Sequence, residues 1–141
     1  MGNGIEYTMN SKDFYHALEN DDLIGSQCLA CGRHTVPQRQ ICPQCNSENT
    51  QIVAFFGVGK LVAYTVIYVP PVRMAEEGYS AKNPYCVGIV ELEEGNRVSA
   101  QILDVDLVHP EKIEIGTPLE MVTITRTEGE IQKSFLAFKP R

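Results

Sequence analysis

The stretch "CLACGRHTVPQRQICPQC", from Cys28 to Cys45, constrains this chain more than any other part of it. Two Cys-x-x-Cys pairs stand ten residues apart, a spacing that lets four thiolates close a tetrahedron from two hairpin turns. Each such turn favours positive φ immediately after its second cysteine. Gly32 follows Cys31 and Asn46 follows Cys45, the residue types that best tolerate that conformation, and Pro43 stiffens the second turn. Cys28, Cys31, Cys42 and Cys45 are therefore the expected metal ligands. Zinc is the default ion, and iron uses the same ligand set, so the spacing leaves iron open. With every position taken by protein sulfur, the ion has no place for water or substrate and is expected to be structural. The surrounding segment offers only Leu29, Val36 and Ile41 as large apolar residues, too few for a core of its own. Metal binding on the order of 10–16 kcal/mol is ample to fold it. Arg33 and Arg39, with no carboxylate between Ser26 and Asn46, offset the negative charge of the tetrathiolate. Facing outward, they would instead hold phosphate or an acidic partner.

Five cysteines, four of them in close pairs, fit metal binding in a reducing cytoplasm better than a disulfide framework. At 141 residues, 43% hydrophobic and 21% charged, the chain has room for one domain or a domain with a small appendage. No run of about 18 apolar residues predicts a membrane span. The opening "MGNGIEYTMNSKDF" lacks the basic and apolar regions of a secretory signal, so a cytoplasmic location is expected. A net charge of −6, from 12 Lys and Arg against 18 Asp and Glu, weighs against a nucleic-acid partner.

Three zones follow. Residues 1–25 predict a helical segment over about Tyr7 to Ile24, capped by Asn10 or Ser11, with Asp13 in its first turn and Gly25 as its stop. Its Phe14/Leu18 stripe must dock on something, either its own domain or a partner. Residues 26–50 hold the metal ribbon. Residues 51–141 read as β throughout: "VGKLVAYTVIYV", then "PYCVGIVEL" and "NRVSAQIL" about the turn Glu93-Glu94-Gly95, then "LEMVTITRT" and "IQKSFLAFKP" about Glu128-Gly129-Glu130. In "LEMVTITRT", Met121, Thr123 and Thr125 alternate against Val122, Ile124 and Arg126. The fold class is mainly β, and five strands without a long helix between them predict a small antiparallel barrel. The longest irregular segment is Pro70 to Pro84, of a length that is usually functional or mobile.

No catalytic motif is present: no G-x-S-x-G, no H-E-x-x-H and no P-loop. His16, His34 and His109 have no nucleophile nearby in sequence, and Cys86 lies in the apolar "NPYCVGIV" as an expected inert core residue.

The order of parts resembles a family known as domain of unknown function thirty-five. "FYHAL" and Gly25, then "CLACG", Pro37, Arg39 and "CPQCN", then "GVGKLVAYTVI", "PYCVGIVELEEGNRV", "EIGTPLEM" and "FLAFKP" follow that family's sequence in order. Asn46-Ser47 departs from the usual Gly-Ser after the last ribbon cysteine, and Gln38 from a residue that is often proline or apolar. The resemblance implies an N-terminal helical segment, a rubredoxin-like zinc ribbon and a five-stranded OB-type barrel. It also implies a non-catalytic subunit that binds acyl-CoA or scaffolds a hetero-oligomer with a thiolase-fold enzyme, the coenzyme A thioester being the ligand. Coenzyme A needs cations for its phosphates and a flat surface for its adenine. Arg73, Tyr79, Lys82 and Tyr85 near the long loop, and Phe138, Lys139 and Arg141 near the C-terminus, are the candidate contacts. Two other readings compete. A nucleic-acid module would stack bases on Tyr64, Tyr68, Tyr79 and Tyr85, against the charge of Glu76, Glu77, Glu91, Glu93 and Glu94. A stand-alone thioesterase would use Cys86 or a histidine.

Overall fold

The computed structural model describes residues 6–128 and 130–141. The first five residues of the N-terminal segment, and Gly129 of the last expected turn, lie outside that range.

Helix α1 spans Ser11–Glu19. Asn10 caps it from extended backbone, its side chain accepting the Lys12 amide at 2.9 Å. Asp13 accepts the amide and hydroxyl of Thr8 at 2.7 and 2.8 Å, satisfying the chain that enters the helix. The helix is shorter than the sequence suggests. Asn20 donates to the His16 carbonyl at 3.0 Å, Asp21 takes φ 59, and the chain leaves as a strand at once. Gly25 is not the helix stop. It sits within strand β1 (Leu23–Cys28) opposite Val53, where a Cβ would overlap the Thr35 carbonyl oxygen and the Phe55 ring. Glycine is there for close backbone approach.

Strands β2 (His34–Thr35) and β3 (Thr50–Phe55) flank β1 in an antiparallel sheet of order β2-β1-β3. This sheet runs from Leu23 to Phe55, so the expected divisions at 25/26 and 50/51 fall inside strands rather than between them.

The second unit is a closed barrel of five strands: β4 (Val58–Ile67), β5 (Tyr85–Leu92), β6 (Arg97–Ile102), β7 (Pro118–Glu128) and β8 (Ile131–Pro140), in the order β4-β5-β6-β8-β7. All pairings are antiparallel except β6–β8, which is parallel and limited to Gln101↔Ala137 and Ile102↔Phe138. The β5–β6 hairpin turns at Gly95, φ 101, where the sequence predicts it. Leu61, Val90, Leu92, Leu119 and Phe138 fill the core, and Leu18 of α1 joins the same cluster. Helix α1 therefore docks on its own barrel. Thr123 of β7 reinforces that contact by donating to the Leu18 carbonyl at 3.1 Å. The long segment from Pro70 to Pro84 is not wholly irregular: it contains a short helix α2 (Val72–Glu76) and a bridge between Ser80 and Asn83. Among the described residues, no helix is long and apolar enough to cross a membrane.

Candidate metal centre

The first turn of the centre begins as β1 ends. Gly32 donates to the Cys28 carbonyl at 2.8 Å with φ 83, and the Cys31 amide approaches Cys28 Sγ at 3.5 Å. The second turn repeats the pattern: Asn46 donates to the Cys42 carbonyl at 2.9 Å with φ 62, and the Gln44 amide reaches Cys42 Sγ at 3.4 Å. The positive φ expected after each pair is present at both positions. Arg33 joins the two turns by donating to Gln44 Oε1 at 3.2 Å.

Together the turns place the four sulfurs within 4.8 Å of one another. Cys28 and Cys45 approach to 3.5 Å, Cys31 and Cys42 to 3.6 Å. A tetrahedral zinc with Zn–S bonds near 2.3 Å has sulfur–sulfur edges of about 3.8 Å, so the cluster fits such an ion with little movement. Its charge argues the same way. A hydrogen bond from the Cys31 amide outweighs burial and lowers the Cys28 thiol to about 6. The Cys45 amide does the same for Cys42, which is also lowered. At Cys45 the Ser47 amide favours the thiolate, but the sulfur of Cys28 and burial overcome it and push the thiol up to about 12. Sulfurs this close resist carrying charge together, and a dication removes that conflict. Held by Cys28, Cys31, Cys42 and Cys45, the ion would pin two loops that have few apolar contacts of their own.

The candidate ligand contacts do not form one site. Arg73 of α2 lies over the Phe135 ring, 5.0 Å from its centroid. Tyr79 and Tyr85 pack at 4.9 Å between centroids, and Gln101 donates to the Tyr79 hydroxyl at 3.1 Å. Lys82 is exposed, whereas Tyr85 is buried. Lys139 and Arg141 are elsewhere. Lys139 faces Glu120 at 3.9 Å, and the Arg141 amide donates to the Pro118 carbonyl at 3.1 Å. The loop instead meets β7 at Arg126, whose Nε contacts Glu77 Oε2 at 3.1 Å. Pro118 and Arg126 are eight residues apart on β7, roughly 26 Å along a strand. Phe138 is withdrawn from the set: with 0% exposure it belongs to the barrel core. Arg126 and Phe135, which no sequence motif marks, complete the loop cluster. Arg126 stacks on Phe135 from 5.2 Å. The clue was an arginine in the otherwise apolar row Val122, Ile124, Arg126 of β7.

Cys86 has 0% exposure, and burial pushes its thiol up. It is neutral and out of reach of a substrate, which removes the basis for a Cys86 thioesterase. His16 and His109 make exposed contacts to Glu19 at 3.5 Å and Asp106 at 3.4 Å.

Comparison with known proteins agrees with this architecture. Family models described as the ChsH2 rubredoxin-like zinc ribbon domain and the ChsH2 C-terminal OB-fold domain match residues 16–51 and 53–123. A DUF35 domain-containing scaffold protein of Methanothermobacter thermautotrophicus is 40% identical over 139 residues, covering 95% of this chain and 98% of that protein. The chain belongs to the DUF35 family. A chain of the Ltp2-ChsH2(DUF35) aldolase has the same fold, with a TM-score of 0.71, 26% identity and coverage of 96% and 98%. A more distant relative is the benzoylsuccinyl-CoA thiolase subunit BbsA of Thauera aromatica, 30% identical over 80 residues and covering 57% of this chain and 51% of that one. Within this DUF35 chain, the unusual Gln38 has a structural use. It is 6% exposed and donates to the Thr8 and Asn10 carbonyls at 2.9 and 3.1 Å, tying the ribbon to the start of α1.

Proposed function

We propose that this DUF35 protein is a non-catalytic, zinc-stapled scaffold subunit of a thiolase-type acyl-CoA enzyme complex. The observation that carries the reading is the 40% identity to a DUF35 domain-containing scaffold protein across 95% of this chain and 98% of that protein. A family chain in an aldolase assembly and another named as a thiolase subunit support a partner that handles acyl-CoA. A metal centre saturated by protein sulfur also suits a scaffold, because such an ion shapes the chain without touching substrate. In this reading the reactive groups belong to the partner, and the small subunit helps keep water from the acyl group.

Coenzyme A would lie along the α2 loop, where Arg73 and Lys82 offer cations beside the Tyr79/Tyr85 pair. Lys139 and Arg141 would serve a separate contact at the far end of β7. The test is purification of the protein from its native host, followed by mass spectrometry of the co-eluting chains and thioester assays of the isolated subunit. A co-eluting thiolase-fold enzyme and an inactive lone subunit are expected. Turnover by the lone subunit overturns the reading. Arg73→Ala and Lys82→Ala should each weaken acyl-CoA binding by the co-purified complex, and unchanged affinity in both clears the loop of that role.

A further inference from the structure

Two surface hollows meet between the ribbon and the barrel. One, of about 610 Å³, lies between the chain from Gly32 to Val36 and the β5–β6 turn. The other, of about 370 Å³, continues past Val36 and Arg97 toward α1 and Phe135. Together they make one groove.

Three properties of this groove point the same way. The first is backbone. Among the described residues the ribbon sheet ends at β2, so its outer edge has no strand partner there. On the opposite wall, β6 pairs with β5 along its length but with β8 only at Gln101 and Ile102. Among the described residues, the β8-facing side of β6 from Arg97 to Ala100 therefore has no strand partner. An unpaired edge is a template for another extended chain. The second is a side chain. Among the described residues, both amide atoms of Asn96 and Oε1 of Glu94, which line the groove, are buried without a hydrogen-bond partner. Such an amide offers one donor and one acceptor side, as a peptide does, and an unmet pair of this kind calls for a partner. The third is charge. Arg33, Arg97 and Arg126 line the groove against a single carboxylate, Glu94, on a chain of net charge −6. Arg97 and Arg126 are held by Glu91 at 3.4 Å and Glu77 at 3.1 Å, carboxylates that stand outside the lining. Beyond Arg97 the half-buried Val36, Phe135 and Leu136 line the hollow beside Ser99 and Gln101, over a buried Leu18.

We propose that this groove binds an extended polypeptide segment of a partner protein, with an apolar anchor seated toward Phe135 and acidic side chains set against Arg33 and Arg97. The proposal rests on the scaffold reading for its partner and deepens it by naming where and how that partner is gripped. Backbone pairing supplies the hold, and the arginines supply register and selection against basic segments.

The first arm of the test uses the zinc-loaded full chain, isotopically labelled, and a five-residue peptide alternating acidic residues with valine and phenylalanine. Saturable shifts are expected at the amides of Thr35 and of Asn96 to Ser99, with none for the lysine counterpart of the peptide. Arg33→Glu combined with Arg97→Glu should weaken binding about tenfold or more. Zinc content and thermal midpoint report whether the double variant folds, and Arg97→Glu alone replaces it if zinc is lost. No saturable shift, equal binding of the basic peptide, or shifts confined to the α2 loop overturns the proposal. So does coenzyme A or inorganic phosphate moving these amides when the peptide does not. The second arm measures the co-eluting native enzyme against both variants. Binding within twofold of wild type removes the groove and leaves the scaffold reading standing, whereas failure of any enzyme to co-elute removes the scaffold reading and leaves the peptide arm to decide the groove.

Discussion

Gly25 shows how much one residue can be asked to do. In sequence it looks like a helix terminator, yet its place in β1 is set by the Thr35 carbonyl and Phe55 ring that press on it. Gly25→Ala forces backbone and ring apart, and a loss of about 1–3 kcal/mol is expected by chemical denaturation. Wild-type stability in that variant would mean the ribbon yields freely at this point. Asp13 makes a pH prediction. Hydrogen bonds from the Thr8 amide and hydroxyl hold its carboxyl below the usual carboxylate range. A lowered folded pKa means the stabilisation is present above the unfolded value, about 3.9, and is lost as pH falls through the folded value. Asp13→Asn should therefore be less stable than wild type near neutrality, and the gap should close under acid conditions. A gap that persists unchanged at low pH would show that the contact does not depend on charge.

At the scale of elements, the ribbon and barrel differ in what stabilises them. The barrel strands supply most of one buried cluster, including Leu61, Val90, Leu92, Leu119 and Phe138, which Leu23 and Phe55 of the ribbon sheet join. The ribbon loops rest on two turns and four sulfurs. Removing the metal with a strong chelator should abolish amide protection through 28–47 first, while β5 in the barrel keeps its protection. Hydrogen exchange with mass spectrometry reads this directly. Simultaneous loss of protection in both units would show that the barrel cannot stand without the ion. The α2 loop is a third kind of element, clipped to β7 by Arg126 and Glu77 and to Phe135 by Arg73.

For the molecule as a whole, the units share one buried cluster, in which Leu18 of α1 and Leu23 and Phe55 of the ribbon sheet pack with the barrel residues. Leu18 is 1% exposed. Leu18→Ala should cost about 2–5 kcal/mol, at the higher end if the cavity fails to collapse. Because α1 also meets the ribbon through Gln38 and the Thr8 and Asn10 carbonyls, that loss should appear in barrel and ribbon protection together. A loss confined to one unit would show that Leu18 does not couple them. The groove proposed to hold a partner chain lies over this same residue, so a loosened α1 should weaken that grip as well.

What the sequence settled on its own was local and chemical. The Cys-x-x-Cys spacing with Gly32 and Asn46 dictated two positive-φ turns, and strand periodicity with the Glu93-Gly95 turn dictated five barrel strands. These follow from backbone sterics and ligand geometry over a few residues, which the order of residues carries directly. Which distant residues would meet was decided only in three dimensions. Arg73 came to rest on Phe135 with Arg126, Lys139 and Arg141 were carried to the opposite end of β7, Phe138 turned inward, and β6 parted from β8 beside the ribbon. Such meetings depend on how a twisted sheet closes and on which face each strand turns to the core, and no short stretch of residues records that.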